Sequence, residues 1–217
     1  YPKVQNRCVG AKGRMEMEKV PKAGYEIDGL WISGLQRSLL NVKNVSFPFK
    51  LLYSLIKAGT LLNRYNPEVV IGVGGYASGP LLYRASRKRI PTLIQEQNSF
   101  PGITNRILAN RVNKVCAGFP GLDKWFPKDR IVETGNPLRE GVLKLSDSKS
   151  SPSKSVATSH FKIDTYKPVV FIMGGSLGAL SMNMAVRNLL ESSNNVLTYS
   201  IIWQCGARFF DENHQWL

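Results

Sequence analysis

EVVIGVGGYASGP, residues 68–80, decides the fold class of this chain. Its first six residues form a nearly continuous apolar run, which is typical of a β-strand buried on both faces of a sheet. Two glycines then end the run, and Pro80 suits the first turn of a helix. A buried strand, a glycine turn and a helix in this order are the repeating unit of a parallel sheet, so the stretch predicts an α/β fold.

The same alternation of apolar runs and helix-like segments continues on both sides of this stretch. Further strands are predicted at residues 91–95, 114–117, 130–134, 168–173 and 199–204. Helices are predicted at residues 47–65, 81–87, 103–110 and 180–190. We therefore expect parallel sheets with crossover helices along the whole chain, in two Rossmann-like domains that face a cleft.

A stretch rich in Ser and Lys, SDSKSSPSKSVATS at residues 146–159, divides the sequence. It has almost nothing to bury, which is typical of a linker or a surface loop. We expect an N-terminal domain at residues 1–145, a linker or surface loop at 146–167, and the beginning of a second, nucleotide-sugar-binding domain at 168–217.

Composition narrows the function classes. The chain of 217 residues has 29 Lys and Arg against 15 Asp and Glu, a net charge of +14 that favours anionic partners. Only this charge suggests nucleic acid, and no recognised motif supports it, so none is predicted as a partner. The three cysteines, Cys8, Cys116 and Cys205, are too scattered for a disulfide framework or a metal site. No apolar run reaches the roughly 20 residues of a membrane-spanning helix.

Two glycine turns follow predicted strands and precede predicted helices, where backbone N–H groups and the helix dipole favour anions. In GGSLGA, residues 174–179, Gly175 allows close approach and the Ser176 hydroxyl can donate a hydrogen bond to a phosphate oxygen. GGYASGP, residues 74–80, repeats the pattern with Ser78. Each turn alone fits a purely structural role equally well. Neither has the dinucleotide or P-loop spacing, which argues against an NAD(P)-dependent oxidoreductase.

Two polar segments complete the candidate site. QEQNSFPGITN, residues 95–105, concentrates amides and a carboxylate, which suits a ligand rich in hydroxyl groups. As an alternative, Glu96 caps a loop or helix and Asn98 forms a turn. TGNPLRE, residues 134–140, places Arg139 where it could bind a phosphate or a carboxylate, although a lone surface arginine is usually only solvated.

The predicted helix at residues 47–65 is basic and amphipathic. Lys50, Lys57 and Arg64, with Lys43 before them, recur every seven residues and form one stripe. Such a helix can lie on an anionic bilayer, and it can equally be a core helix with its lysines in water. We expect Leu51, Leu55 and Leu62 to face the core. Lipid contact is predicted for Phe47, Phe49, Lys50 and Lys57.

Taken in order, seven segments resemble the bacterial MurG family, the GT-B enzymes that transfer N-acetylglucosamine to lipid I in peptidoglycan synthesis. They are VGAKGRMEMEKVPKAGYEIDGLWISGL, GVGGYASGP, EQNSFPGITN, GFPG, TGNPLR, GGSLGA and IIWQCG. The resemblance implies inverting transfer of GlcNAc from UDP-GlcNAc to the C4 hydroxyl of the muramoyl sugar on a polyprenyl diphosphate. It implies no metal and no cofactor, and a peripheral place on the cytoplasmic face of the bacterial plasma membrane.

The resemblance also assigns site residues. It implies donor contacts by Asn98, Arg139, Gly175 and Ser176, and an acceptor or diphosphate loop with Gly74, Gly75, Tyr76, Ser78 and Asn105. Family members often have His where this chain has Gln95, so no acid–base role is expected there. The family's histidine candidate for the base would precede Tyr1, and its uracil-binding segments would follow Leu217.

The catalytic base is therefore unknown from this sequence, with Glu96 as a weak candidate. We expect no turnover by the 217 residues alone. The alternative from another class is a non-catalytic module that binds lipid diphosphates or anionic membranes.

Overall fold

The computed structural model describes residues 4–34, 45–146, 154–164, 166–175, 177–193 and 196–214. The chain divides into two compact units, Tyr1–Pro137 and Leu138–Leu217. Every strand pairing in both units is parallel across the described residues. This confirms the α/β prediction.

The first unit contains six strands and four α-helices among the described residues. In chain order they are β1 (Cys8–Ala11), α1 (Glu16–Lys22), β2 (Ile27–Leu30), α2 (Phe47–Tyr65), β3 (Val70–Gly72), α3 (Ser78–Arg87), β4 (Thr92–Glu96), α4 (Ile103–Leu108), β5 (Lys114–Ala117) and β6 (Ile131–Glu133). Strands β1 and β2 form one sheet, and β3, β4, β5 and β6 form a second sheet in sequence order. Since parallel strands share a direction, all four carboxyl ends of the second sheet lie at one edge.

The main core packs helices against the four-stranded sheet. Its fully buried members include Ile94 of β4 and Val115 of β5, which are register partners. Leu82 of α3 and Leu108 of α4 cover them. Burial of such aliphatic side chains stabilises the sheet by about 1.5–3 kcal/mol each.

Helix α2 contributes to two cores. Leu62 belongs to the main core, whereas Leu61 packs with Ala11 and Leu30 of the two-stranded sheet. The helix ends at Asn66, whose left-handed backbone (φ 41°) lets its N–H reach the carbonyl of Leu62. Its bounds agree with the predicted residues 47–65.

The second unit contains α5 (Glu140–Ser146), α6 (Lys154–His160), β7 (Val169–Met173), α7 (Leu180–Ser192), β8 (Ser200–Gln204) and α8 (Phe210–Asn213). Strands β7 and β8 pair in parallel. The boundary between the two compact units falls in the sequence between Pro137 and Leu138. Helix α6 lies within the predicted linker or surface loop at residues 146–167. The functional division of the chain into domains stays a prediction.

Candidate functional site

Three loops follow strands at the carboxyl edge of the four-stranded sheet. They are the glycine loop after β3 (residues 73–77), the amide loop after β4 (residues 97–102) and the asparagine loop after β6 (residues 134–137). All three lie in the first unit. In parallel α/β sheets this edge is where ligands bind.

Side-chain amides join the three loops. The Gln97 Nε2 atom donates to the Val73 carbonyl at 3.2 Å, which links the amide loop to the glycine loop. The Asn136 Nδ2 atom donates to the Gln97 carbonyl at 3.1 Å, and buried Gln95 donates to the Gly135 carbonyl at 3.2 Å. The loops therefore form one connected surface, and the Gln95 amide serves to hold it together.

The buried carboxylate of Glu96 holds the amide loop in place through hydrogen bonds. Its side chain is 1% exposed at the end of β4. Its Oε1 atom accepts from the N and Nδ2 atoms of Asn98, both at 3.0 Å. Its Oε2 atom accepts from the Gly102 N–H at 3.1 Å and from Asn105 Nδ2 at 2.7 Å. Because both oxygens are engaged by donors of the loop and of α4, the geometry favours a positioning role for Glu96 over proton transfer.

These bonds fix the orientation of two asparagine amides. Since Glu96 takes both Nδ2 groups, the Oδ1 atoms of Asn98 and Asn105 are the atoms left to accept a hydrogen bond. Asn98 is exposed, whereas Asn105 is 3% exposed and its Oδ1 has no partner among the described residues. Asn98 thus offers a ligand an acceptor for hydroxyl or N–H groups.

The glycine loop has a backbone that requires glycine. Gly74 and Gly75 have φ values of 90° and 78°, in the left-handed region. The Ser78 hydroxyl donates to the Gly74 carbonyl at 2.5 Å and so holds the loop against the start of α3. Ser78 therefore stabilises the loop, and its predicted contact with a ligand stays a prediction. The N-terminal end of α3, with its positive dipole, adjoins this loop.

Tyr76 connects the glycine loop to the two-stranded sheet. Its ring packs on Gly34, where an added Cβ atom would collide with it. The Arg14 guanidinium lies 5.5 Å from the centre of the same ring. Arg14 follows β1, so it also sits at the carboxyl end of a strand. The sequence analysis did not select Arg14 or Asn136, because no sequence motif shows which residues these two side chains contact.

The remaining predicted donor residues belong to the second unit. Arg139 is exposed, and its carbonyl accepts from Val142 N at 2.9 Å at the start of α5. Gly175 has a φ of 77° in the turn after β7. Ser176 lies outside the described residues. The predicted cooperation of these residues with the loops of the first unit stays a prediction.

Gly178, between β7 and α7, contacts the segment after β8. A Cβ atom at Gly178 would collide with the Cys205 carbonyl, so the turn needs glycine there. Asn183 of α7 donates to the same carbonyl at 3.0 Å and accepts from the Trp203 Nε1 atom at 3.1 Å. This unit thus has its own tightly built strand–turn–helix.

Helix α2 carries both aromatic and basic side chains on the face for which lipid contact is predicted. Phe49 is 68% exposed, whereas Phe47 is half-buried and packs on the core of the two-stranded sheet. Lys50 donates to the Ser33 hydroxyl at 3.3 Å, and Lys57 donates to the Gly29 carbonyl at 3.0 Å.

The side chains of Lys50 and Lys57 therefore point toward β2 and the segment that follows it. Lys43 lies outside the described residues. Sequence reasoning did not select Trp31 and Tyr53, which form an exposed edge-to-face pair at 6.1 Å. In the part of the chain that the structure describes, no helix is long and apolar enough to cross a membrane.

Comparison with known proteins identifies relatives of this chain. The model of the glycosyltransferase family 28 N-terminal domain matches residues 2–117. A Flavobacterium psychrophilum protein named UDP-N-acetylglucosamine–N-acetylmuramyl-(pentapeptide) pyrophosphoryl-undecaprenol N-acetylglucosamine transferase is 44% identical over 98% of this chain and 56% of its own length. A Christiangramia forsetii protein of the same name is 45% identical, also over 98% of this chain and 56% of its own length. The chain thus spans little more than half the length of these relatives.

Solved structures show the same fold. A crystal structure of Acinetobacter baumannii MurG superposes with a TM-score of 0.59 at 25% identity, covering 96% of this chain and 52% of its own. A Neisseria meningitidis UDP-GlcNAc 2-epimerase bound to UDP-GlcNAc gives a TM-score of 0.58 at 16% identity, covering 93% of this chain and 58% of its own. The second likeness concerns the fold alone. Together they confirm the predicted α/β fold class of GT-B type.

Proposed function

The chain belongs to glycosyltransferase family 28, and from this premise we propose that it is part of an enzyme that transfers N-acetylglucosamine from UDP-GlcNAc to an undecaprenyl-diphosphate-linked muramoyl peptide. The observation that carries the proposal is the match of nearly the whole chain, at 44% identity, to a relative named for this reaction. The three connected loops at one edge of the sheet form a surface suited to the two substrates of this reaction.

In this reaction the C4 hydroxyl of the acceptor attacks C1 of GlcNAc, UDP leaves with the bonding electron pair, and the anomeric centre inverts. A base must take the hydroxyl proton, and donors must stabilise the departing diphosphate. We infer that Glu96 is not this base, since its two oxygens accept four hydrogen bonds from the amide loop and α4.

We assign the glycine loop to the acceptor. Gly74 and Gly75, with successive positive φ values, turn the backbone ahead of α3. Backbone N–H groups of such turns and helix starts bind phosphate oxygens. Arg14 lies beside Tyr76 at this loop and supplies a charge that suits a diphosphate. The diphosphate of the lipid-linked acceptor is the group that this arrangement fits.

We assign the amide loop to the donor sugar. Asn98 is exposed and bonds Glu96 through Nδ2, which leaves its Oδ1 atom as an acceptor. The hydroxyl groups of GlcNAc are donors that such an acceptor can bind. Asn105 fixes the loop through Glu96. Arg139, Gly175 and Ser176 are proposed as further donor contacts from the second unit, with Ser176 near the diphosphate.

We propose that the outer face of α2 rests on the cytoplasmic surface of the bacterial plasma membrane. Phe49, Leu52, Tyr53 and Ile56 are all exposed along one side of the helix. Trp31 joins them through its contact with Tyr53, and aromatic pairs of this kind suit the lipid interface. Lys50 and Lys57 add the positive charge that attracts anionic lipids.

A chimera tests the proposed activity. Residues 1–217 replace the aligned segment of the Flavobacterium psychrophilum transferase, and transfer of labelled GlcNAc from UDP-GlcNAc to a synthetic undecaprenyl-diphosphate muramoyl peptide is measured. We expect the chimera to transfer GlcNAc to the acceptor, since the exchanged segments are 44% identical. A folded chimera that binds UDP-GlcNAc and leaves the acceptor unchanged would refute the proposal.

A further inference from the structure

Two aromatic rings and one arginine pack together beside the amide loop. The Phe100 ring, which belongs to that loop, meets the Trp125 ring edge to face, with 5.1 Å between the ring centres. The Arg106 guanidinium of α4 lies 5.2 Å from the centre of the Phe100 ring and 4.9 Å from the centre of the Trp125 ring. Phe100, Arg106 and Trp125 thus form an aromatic–arginine cluster, to which the sequence analysis assigned no role.

Trp125 is fixed to the main core. Its side chain is half-buried and packs on the core of the four-stranded sheet. Leu122 and Phe126, which lie on either side of it in the chain, are core members that are 1% and 3% exposed. The N–H groups of Trp125 and Phe126 both donate to the Leu122 carbonyl, at 2.9 and 3.0 Å. The Trp125 ring therefore offers a rigid surface to the side chains that pack on it.

Phe100 lies in the part of the amide loop that Glu96 does not bind. Glu96 accepts hydrogen bonds from the backbone N–H groups of Asn98 and Gly102, at the two ends of this part. Phe100 lies midway between these two residues, and its side chain is 62% exposed. Its contact with Trp125 therefore holds the loop at a further point.

Arg106 contributes its charge to this cluster. Its guanidinium forms no salt bridge within the part of the chain that the structure describes. Its Nε atom is buried and has no hydrogen-bond partner there either. A cation beside an aromatic ring is attracted by the electrons of the ring, and an edge-to-face ring pair is itself stabilising. Arg106 thus links α4 to both rings.

We propose that Trp125 is a positioning residue for the donor substrate, because through Phe100 it holds the amide loop in the conformation that presents Asn98. The proposal rests on the proposed function, in which Asn98 binds the donor sugar. A loop that is ordered before the ligand arrives loses less conformational freedom on binding, so the donor binds more tightly. Trp125 itself acts through the loop and needs no contact with the ligand.

Hydrogen exchange in the 217-residue chain tests the first step, which is the ordering of the loop. The backbone amides of Asn98 and Gly102 report on it, since both donate to Glu96. Trp125→Leu removes the ring and keeps an apolar side chain on the core. We expect exchange at these two amides, followed by NMR, to become about fivefold faster or more, through local opening of the loop. Unchanged exchange in the folded variant would overturn the proposal.

Tyr83→Leu is the matched control for this experiment. Tyr83 is half-buried, packs on the same core and lies 5.0 Å from the Arg111 guanidinium, but it has no described ring contact with Phe100. The variant loses a comparable aromatic–arginine contact on α3. It should change exchange at the Asn98 and Gly102 amides less than about twofold. Equal acceleration in the two variants would mean a general loss of stability and would overturn the proposal.

Phe100→Ala breaks the same contact from the loop side. Because Phe100 is 62% exposed, this variant leaves the core intact, and it decides the question if Trp125→Leu does not fold. We expect the same acceleration of exchange at the Asn98 and Gly102 amides. Exchange as slow as in the unchanged chain would count against the cluster.

Kinetics of the chimera test the second step, which is the effect on the donor. Trp125→Leu should raise the KM for UDP-GlcNAc about fivefold and change kcat less than about twofold, because less of the protein has the loop ready for the donor. Trp125→Phe keeps an aromatic ring for Phe100 and should restore most of the affinity. Faster exchange at the loop with an unchanged KM would overturn the positioning role.

A double-mutant cycle shows whether Trp125 acts through Asn98. In the Asn98→Ala background, Trp125→Leu should raise the KM for UDP-GlcNAc less than about twofold further, since the residue that it positions is already gone. Fully additive effects on KM would refute the route through Asn98.

The two experiments separate this proposal from the proposed function. If the chimera transfers GlcNAc while exchange at the Asn98 and Gly102 amides does not respond to Trp125→Leu, the positioning role fails and the proposed function stands. If exchange responds as expected while the chimera binds UDP-GlcNAc without transferring it, the proposed function fails. The ordering of the loop by Trp125 then stands, and the affinity for UDP-GlcNAc replaces KM as its second test.

Discussion

The Asn105 Nδ2 atom donates a 2.7 Å hydrogen bond to the Glu96 Oε2 atom, and both side chains are almost fully buried. This bond ties α4 to the end of β4. Asn98 is held by the other oxygen of the same carboxylate, so one buried group sets the shape of the amide loop. The orientation of the exposed Asn98 amide therefore depends on a side chain that a ligand does not reach.

Glu96→Gln should destabilise the 217-residue chain. The new amide turns an N–H group toward the donors of Asn98, Gly102 or Asn105, and leaves at least one of them unpaired. We expect a loss of about 1–3 kcal/mol in the free energy of unfolding, measured by urea denaturation.

Glu68→Gln is the control for this variant. Glu68 is exposed and forms no salt bridge among the described residues. Its replacement should change the free energy of unfolding by less than about 0.5 kcal/mol. If the two variants are equally stable, the carboxylate does not organise the loop.

Asn98→Ala should weaken use of the donor substrate in the chimera. The change removes the Oδ1 acceptor of an exposed side chain, and we expect the loss of a single hydrogen bond of this kind to raise the KM for UDP-GlcNAc about tenfold. Ser99→Ala, at the next exposed position, is the control and should leave KM near its starting value. Equal KM values for the parent chimera and Asn98→Ala would remove Asn98 from the donor site.

The four-stranded sheet and α2 follow from local signals in the sequence. The strand at Lys114–Ala117 and the helix at Phe47–Tyr65 have the predicted bounds, because apolar runs and helical periodicity mark them. Strands β1 and β2 (CVGA and IDGL) were not predicted, because both are short and contain glycine. They form by pairing with each other, and tertiary contact overrides weak β-propensity.

The connections within the site are not local. The Gln97 hydrogen bond to Val73 spans 24 residues, and the Asn136 bond to Gln97 spans 39. Sequence patterns identify the loops as polar or glycine-rich, yet they contain no signal for which amide meets which carbonyl. For this reason the loops were predicted, while the roles of Asn136 and Arg14 emerged from the structure.

Gly118→Ala should destabilise the first unit by crowding. A Cβ atom at Gly118 would lie 2.8 Å from the Asn136 Cγ atom and 3.0 Å from the Glu96 carbonyl oxygen. Overpacking of this kind costs about 1–3 kcal/mol. The melting temperature should fall by about 2–4 °C for each kcal/mol in a chain of this size. Gly102→Ala is the control, because a Cβ atom there meets nothing within 4 Å, and a similar fall in that variant would contradict the crowding.

Phe49→Ser combined with Ile56→Ser should reduce binding of the chain to vesicles that contain anionic lipid. Both side chains are more than 60% exposed on α2, so their loss removes apolar area that would enter the interface and leaves the core unchanged. We expect binding to weaken about tenfold or more, measured by vesicle sedimentation. Ile103→Ser with Ile107→Ser is the control, because these residues of α4 are equally exposed on another helix. Equal losses in both pairs would mean that the chain adheres to lipid through any exposed apolar side chain, and α2 would lose its assignment as the membrane face.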